Sequence, residues 1–299
     1  MESPSNDAID QAEQAWNLDL DEERRAILKS TDTVDIRACP GSGKTTLLVV
    51  KLGLLAQHWT SKHTGICVLS HTNAARREIE RHLSKYPSLS PLLSYPHFVG
   101  TIQKFLHEFL GTPAAIEAFG TRPHIVDNDH YTKEATTAFF QGMRADRRFR
   151  GAKTFIEKQL ENNPQVTFTD YIGSFEYLDA DLDLKPLGTK KRPVDWDTAT
   201  GQAIIAHKEA MSRQGIFRYQ DLAALAARHA TQHPAIAAII SRRFPILLID
   251  ETQDTIEEQA NLIKQLFAGR SVVQRFGDDR QAIYHTNNPR KPGAEFPEG

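Results

Sequence analysis

The chain has 299 residues, enough for about two domains and a sizeable buried core. Apolar residues make up 40% and charged residues 25%, and 36 Lys and Arg stand against 38 Asp and Glu for a formal net charge of −2. That balance excludes wholesale disorder and attachment to nucleic acid by bulk charge, so any such binding must come from local patches.

No apolar run reaches the ~18–20 residues of a membrane span. The acidic, polar start MESPSNDAIDQAEQ reads as neither a signal nor a transit peptide. Two cysteines, Cys39 and Cys67, without metal-type spacing argue against a disulfide framework or a structural zinc; a reduced, cytoplasmic compartment is expected. Residues 8–16 and 21–30 predict two short helices, the second capped by Asp21. Residues 33–38 (TVDIRA) predict a strand, 45–58 (TTLLVVKLGLLAQH) a largely buried helix, and 65–70 (GICVLS) a second strand. Thr72 or Asn73 opens the next helix, with Ile79 and Leu83 on its inner face. Strand, helix, strand, helix implies parallel βαβ units. Residues 112–200 read as polar and helical, ending in the turn-rich stretch DLDLKPLGTKKRPVDWD. Helices follow over 201–213, 219–231 and 234–243, with Asp221 read as an N-cap. The chain then gives an apolar strand, PILLIDE, a helix over 256–268 and a strand, SVVQRFGDD.

The stretch ACPGSGKT, residues 38–45, follows a strand and opens a helix, the setting a phosphate-binding loop requires. Gly41 and Gly43 let the run from Ala38 through Cys39, Pro40 and Ser42 curl until its N–H groups point at phosphate oxygens. Lys44 supplies a point charge for the β- and γ-phosphates and Thr45 a hydroxyl for Mg²⁺, with Thr46 beside it in the binding set. Ala38 stands where the usual pattern has its first glycine. The strand PILLIDE ends in two carboxylates, at the edge where open α/β sheets bind ligands. Asp250 is placed to hold Mg²⁺, directly or through a water, and Glu251 to orient the attacking water and accept its proton. Alone, that pair is equally a strand end with solvated acids; beside a phosphate loop it reads as the other half of a triphosphate site. FGDDRQAIY, residues 276–284, is another strand end, where the amide of Gln281 beside a γ-phosphate can report whether that phosphate is present.

These motifs together resemble the UvrD/Rep-type superfamily 1 DNA helicases, ATP-driven translocases on single-stranded DNA. LSHTNAARREI (69–79) is similar to the family's motif Ia, VGTIQKF (99–105) to motif Ib, DETQD to motif II and GDDRQAIY to motif III. The resemblance covers the N-terminal half of such an enzyme. It implies an α/β fold: a RecA-like P-loop NTPase domain (1A) over 1–110 and 201–299, interrupted by a mostly helical insertion (1B) over 111–200. It implies ATP and Mg²⁺ as cofactors, single-stranded DNA or DNA junctions as partners, and 3′→5′ movement. DNA contacts are implied for His71, Thr72, Asn73, Thr101 and Tyr284. The run HTNAARREIERHL…YPHFVGTIQKFL also looks like helicase subunits of bacterial antiviral systems of the Gabija kind, which implies a nuclease subunit as a further partner.

Several positions depart from the family pattern. Arg24 sits where the family carries its adenine-reading Gln, which puts adenine selectivity in question. His71 replaces a base-stacking aromatic, Gln103 a histidine, and His285, Thr286 and Asn287 stand where a stacking Trp is common. The chain ends fifteen residues after Tyr284, with no counterpart of the second RecA-like domain and its arginine fingers, worth about 10³–10⁵ in rate. The expectation is therefore a fragment with weak turnover alone; the alternative is a nucleotide-dependent DNA- or partner-binding accessory module. Lys190, Lys191 and Arg192 read as a solvated loop or a phosphate contact, as do Arg144, Arg147, Arg148, Arg150 and Lys153 on a helical stretch. Cys39 is a small filler or a thiol activated by loop dipoles. The twelve histidines show no ligand spacing supported by neighbouring acids.

Overall fold

The computed structural model describes residues 3–37, 42–161, 163–178, 182–186, 189, 192–252 and 255–277. Its contacts group into two compact units, residues 1–105 with 234–299, and residues 106–233.

In the first unit, Ser5 caps α1 (Asn6–Trp16) by accepting from the Ala8 N–H at 3.2 Å, and Asp21 caps α2 (Glu22–Lys29) by accepting from the Arg24 N–H at 2.8 Å. β1 (Val34–Arg37) leads to α3 (Lys44–Gln57), buried continuously from Leu47 to Leu55. The lysine within that apolar run is not a surface residue: Lys51 is 1% exposed. Its ammonium donates to the carbonyls of Ile27 (2.9 Å), Leu28 (2.8 Å) and Ser30, satisfying the orphan acceptors at the end of α2. β2 (Ile66–Ser70) is wholly buried. Thr72 caps α4 (Asn73–Ser84) through the Ala75 N–H at 3.1 Å, and the helix turns Ile79 and Leu83 inward as its periodicity predicts. β3 (Phe98–Thr101) runs into α5 (Ile102–Leu106).

The second unit holds α6 (Thr112–Phe119), β4 (Ile125–Val126), α7 (Asn128–Ala145), α8 (Arg148–Glu161), α9 (Phe168–Gly173), β5 (Phe175–Leu178), β6 (Asp183–Pro186), α10 (Ala199–Arg213), β7 (Ile216–Phe217) and α11 (Tyr219–Gln232). It is mostly helical, with β4 and β7 paired parallel and β5 and β6 paired antiparallel. Helices α10 and α11 pack within this unit, so residues 201–233 group with the insertion rather than with the sheet they were expected to join. The N-cap reading of Asp221 is corrected: Arg218 holds the cap position, and Asp221, buried in the first turn of α11, accepts from the Arg218 N–H at 2.8 Å.

His207, on α10, is 2% exposed, and neither ring nitrogen has a hydrogen-bond partner among the described residues. Burial first, and the Lys208 charge second, push its imidazole down to about 3. An unfolded histidine takes up its proton near the ordinary value of 6.5, so the fold loses stability as pH falls from 6.5 toward 3. His207→Leu is expected to raise the melting temperature at neutral pH and to flatten this acid limb, because a leucine buries neither an unpaired polar atom nor a titrating one. A melting curve series over pH checks this; an unchanged slope would contradict it.

The chain returns to the first unit through α12 (Ala235–Arg243), β8 (Ile246–Asp250), α13 (Glu257–Phe267) and β9 (Val272–Gly277). Among the described residues, five parallel strands then stand in the order β1-β9-β8-β2-β3. This is the parallel α/β sheet that the strand–helix alternation predicts. Its core gathers α3, β2 and β8 around Leu48, Leu52, Val68 and Leu248. No helix among the described residues is long and apolar enough to cross a membrane.

Candidate nucleotide-binding site

Strand register puts Ile36, Phe276, Asp250, Ser70 and Thr101 in one row across the sheet, near its carboxyl edge. In open parallel sheets that edge is where ligands bind. Ala38, Cys39, Pro40 and Gly41, between β1 and α3, lie outside the described residues. Beyond them, Gly43 takes a left-handed φ of +82°, and a β-carbon there would meet nothing within 4 Å. The glycine is needed for the conformation, not for room. The cap residue of α3 is Gly43, which has no side chain to bond the first N–H groups of the helix, and the dipole of α3 is positive at that end. The Ser42 hydroxyl is buried with no partner among the described residues. An uncapped 14-residue helix, a left-handed glycine and an orphaned hydroxyl fit a phosphate group.

Lys44 is the first residue of α3 and 8% exposed; Thr45 and Thr46 follow, half-buried. Asp250 ends β8 at 1% exposure. Burial first, then the Glu251 charge, push its carboxyl up to about 6, against the pull of Lys44. Lys44 and Asp250 therefore feel one another across the strand ends. Glu251 has φ +55°, a left-handed conformation that a glutamate rarely adopts, and its N–H donates to Asp250 Oδ1 at 3.1 Å. Such strain costs about 1–3 kcal/mol and concentrates at working sites. Thr252 pins the turn by donating to the Phe276 carbonyl at 3.3 Å.

Arg24, at the position expected to read the base, instead reaches the loop: its guanidinium donates to the carbonyls of Ser42 (3.3 Å) and Asp19 (3.2 Å). Sequence reading missed this contact, because 18 residues separate the partners. Among the DNA candidates, Thr72 and Thr101 are engaged locally, Thr101 accepting from the Lys104 N–H at 3.1 Å. Asn73 is exposed and His71 half-buried, its Nδ1 without a partner among the described residues. Gln281 and Tyr284 lie outside the described residues, as do Lys190 and Lys191. Arg192 pairs with Asp183 at 3.0 Å, Arg148 with Asp146 at 2.7 Å, and Lys153 with Glu157, so part of both basic clusters is neutralised in place. Cys67 is free and buried, and burial pushes its thiol far up, which makes it unreactive.

A parallel sheet that gathers a lysine at an uncapped helix start and a buried aspartate at a strand end defines a phosphate-loop α/β domain. More narrowly, the model of the UvrD/REP helicase N-terminal domain matches residues 20–288, and the chain belongs to that family. It is 26% identical over 267 residues to DNA helicase II of Salmonella typhimurium and, equally, of Escherichia coli. Those alignments cover 88% of this chain and 34% of each relative, so the chain spans about a third of the length of the helicases it matches. A shorter match, 37% over 73 residues, is to the RecBCD enzyme subunit RecB of Mycolicibacterium smegmatis, covering 24% of this chain and 7% of that one.

Proposed function

We propose that the chain binds and hydrolyses ATP with Mg²⁺ and serves as the nucleotide-driven part of a DNA helicase or translocase. The single observation that carries this is that Lys44, opening α3 just after β1, and the buried Asp250, ending β8, both stand at the carboxyl edge of one parallel sheet. The α3 amides and Lys44 hold phosphate oxygens. Thr45 and Asp250 would hold Mg²⁺, which supplies neutralising charge to the phosphates. Glu251, one residue beyond Asp250, orients water and accepts its proton, and Gln281 senses the γ-phosphate. The contact of Arg24 with the loop supports a role in shaping the loop rather than in reading adenine. The first unit takes the place of the family's 1A domain and residues 106–233 that of 1B.

Single-stranded DNA or DNA junctions are the proposed substrates, contacted by His71, Thr72, Asn73, Thr101 and Tyr284, with 3′→5′ movement. A partner subunit rests on narrower ground, the similarity to a subunit of the RecBCD enzyme. The test is equilibrium ATP binding and steady-state turnover, with and without single-stranded DNA. Lys44→Ala is expected to weaken ATP binding about tenfold to a hundredfold, the worth of a charge-assisted phosphate contact. The fold should stay intact, which far-ultraviolet dichroism of the nucleotide-free variant checks. Unchanged affinity would remove the assignment. Binding without DNA-stimulated turnover would point instead to an accessory nucleotide-dependent module.

A further inference from the structure

We propose that Glu117, His229 and His233 form a binding site for a zinc-class divalent metal ion in the second unit. His229 lies in the last turn of α11 and His233 directly follows it, four residues on. The His233 N–H still donates to the His229 carbonyl at 2.9 Å, so the two side chains share one helix face. Their rings stand 4.5 Å apart, centre to centre. Glu117, on α6, brings its carboxylate to both: Oε2 is 3.1 Å from His229 Nδ1 and 3.0 Å from His233 Nε2. One ligand atom from each of the three lies within 4.8 Å of the other two.

The two separations to Glu117 are near what a metal would need. Zinc bonds of about 2.0–2.2 Å in tetrahedral directions place ligand atoms roughly 3.3–3.5 Å apart. The two carboxylate–imidazole distances are already close to that, and loading would set the metal on the ring nitrogens that face Glu117, each ring keeping its one N–H on the other nitrogen. The donor set also selects. Two imidazoles and one carboxylate suit zinc, cobalt or nickel, whereas magnesium prefers oxygen ligands, so the ion that accompanies ATP does not compete here. His229 is largely covered, while the side chains of His233 and Glu117 are 41% and 52% exposed. That leaves an entry path and at least one position for water, the open pattern rather than a closed four-ligand one. Loading would clip together segments 112 residues apart in the chain.

The probe is zinc chloride titrated calorimetrically into the chelator-stripped, nucleotide-free chain, with cobalt absorption as a second readout. The expected result is a single saturable site, cobalt bands of low-coordinate intensity, a melting point raised by zinc, and no displacement by excess magnesium. His233→Ala and Glu117→Gln should each weaken zinc binding by more than about tenfold while far-ultraviolet dichroism stays unchanged. His63→Ala, an exposed histidine outside the cluster, should bind as the parent does. No saturable binding, or binding that survives both cluster variants, would overturn the proposal.

Discussion

Glu251→Gln is expected to cut ATP turnover by about 10²–10⁴-fold, the usual worth of a general base, while Mg²⁺–ATP binding is retained or slightly tightened. The two halves of this expectation have different origins. The amide matches the carboxylate in shape, so it sits in the same left-handed backbone at φ +55° and leaves the turn that Thr252 pins undisturbed. It can still hold a water but cannot take its proton. The charge it removes has a second effect. Glu251 is, after burial, the main reason that the Asp250 carboxyl rises to about 6. Without that neighbour, Asp250 ionises more readily, which offsets a small part of the carboxylate charge lost toward a divalent cation, while the polyanionic nucleotide meets one repulsive charge fewer. Single-turnover hydrolysis, run beside equilibrium binding of ATP, separates the two effects. A variant that loses binding and turnover together would make Glu251 a structural residue. A variant with parental turnover would move the base elsewhere.

The same neighbourhood shows which parts of the site the sequence carries and which it does not. A phosphate-loop reading needs only contiguous residues, so Gly43, Lys44 and Thr45 announce it over a few positions, and the structure puts them where β1 gives way to α3. The row that joins Asp250 to Ser70 and Phe276 needs only that the strands be parallel, which the alternation of strand and helix implies. Contacts that depend on folding back are silent. Arg24 looks like a failed base reader until its guanidinium is seen on the Ser42 carbonyl. Lys51 looks like a flaw in an apolar helix until three carbonyls of the α2 end surround it. His229 and His233 show ligand spacing in the sequence, but their acid, Glu117, is 112 residues from the first of them. Periodicity also says that α10 and α11 have buried faces without saying which core receives them. Placing residues 201–233 with the sheet followed from the family resemblance, and their contacts group them with the other unit.

Asp221→Leu and Lys208→Met are each expected to destabilise the second unit by about 3–5 kcal/mol, because each leaves its partner as a buried, uncompensated charge. The pair is fully enclosed, at 0% exposure on both sides, with Nζ 2.6 Å from Oδ2. Local sequence suggested only a cap for Asp221. Its real surroundings come from three elements: the Arg218 N–H at 2.8 Å, the Tyr177 N–H at 2.9 Å on β5, and Lys208 on α10. Lys208 in turn donates to the Phe175 carbonyl at 2.9 Å and sits over the Tyr131 and Tyr177 rings, at 4.3 and 5.0 Å from their centres. The pair therefore ties α10 and α11 to β5 at one point. Removing both charges together should cost much less than the sum of the single changes, since no ion is then stranded. It should not be free, because two backbone N–H groups and one carbonyl lose their partners, at about 1–3 kcal/mol for each that stays buried and unmet. Urea unfolding of the parent, both single variants and the double variant gives the cycle. Hydrogen exchange over residues 199–232 locates the loss, with α10 and α11 opening first. Strict additivity would mean that the two side chains act separately, and that the 2.6 Å contact contributes nothing of its own.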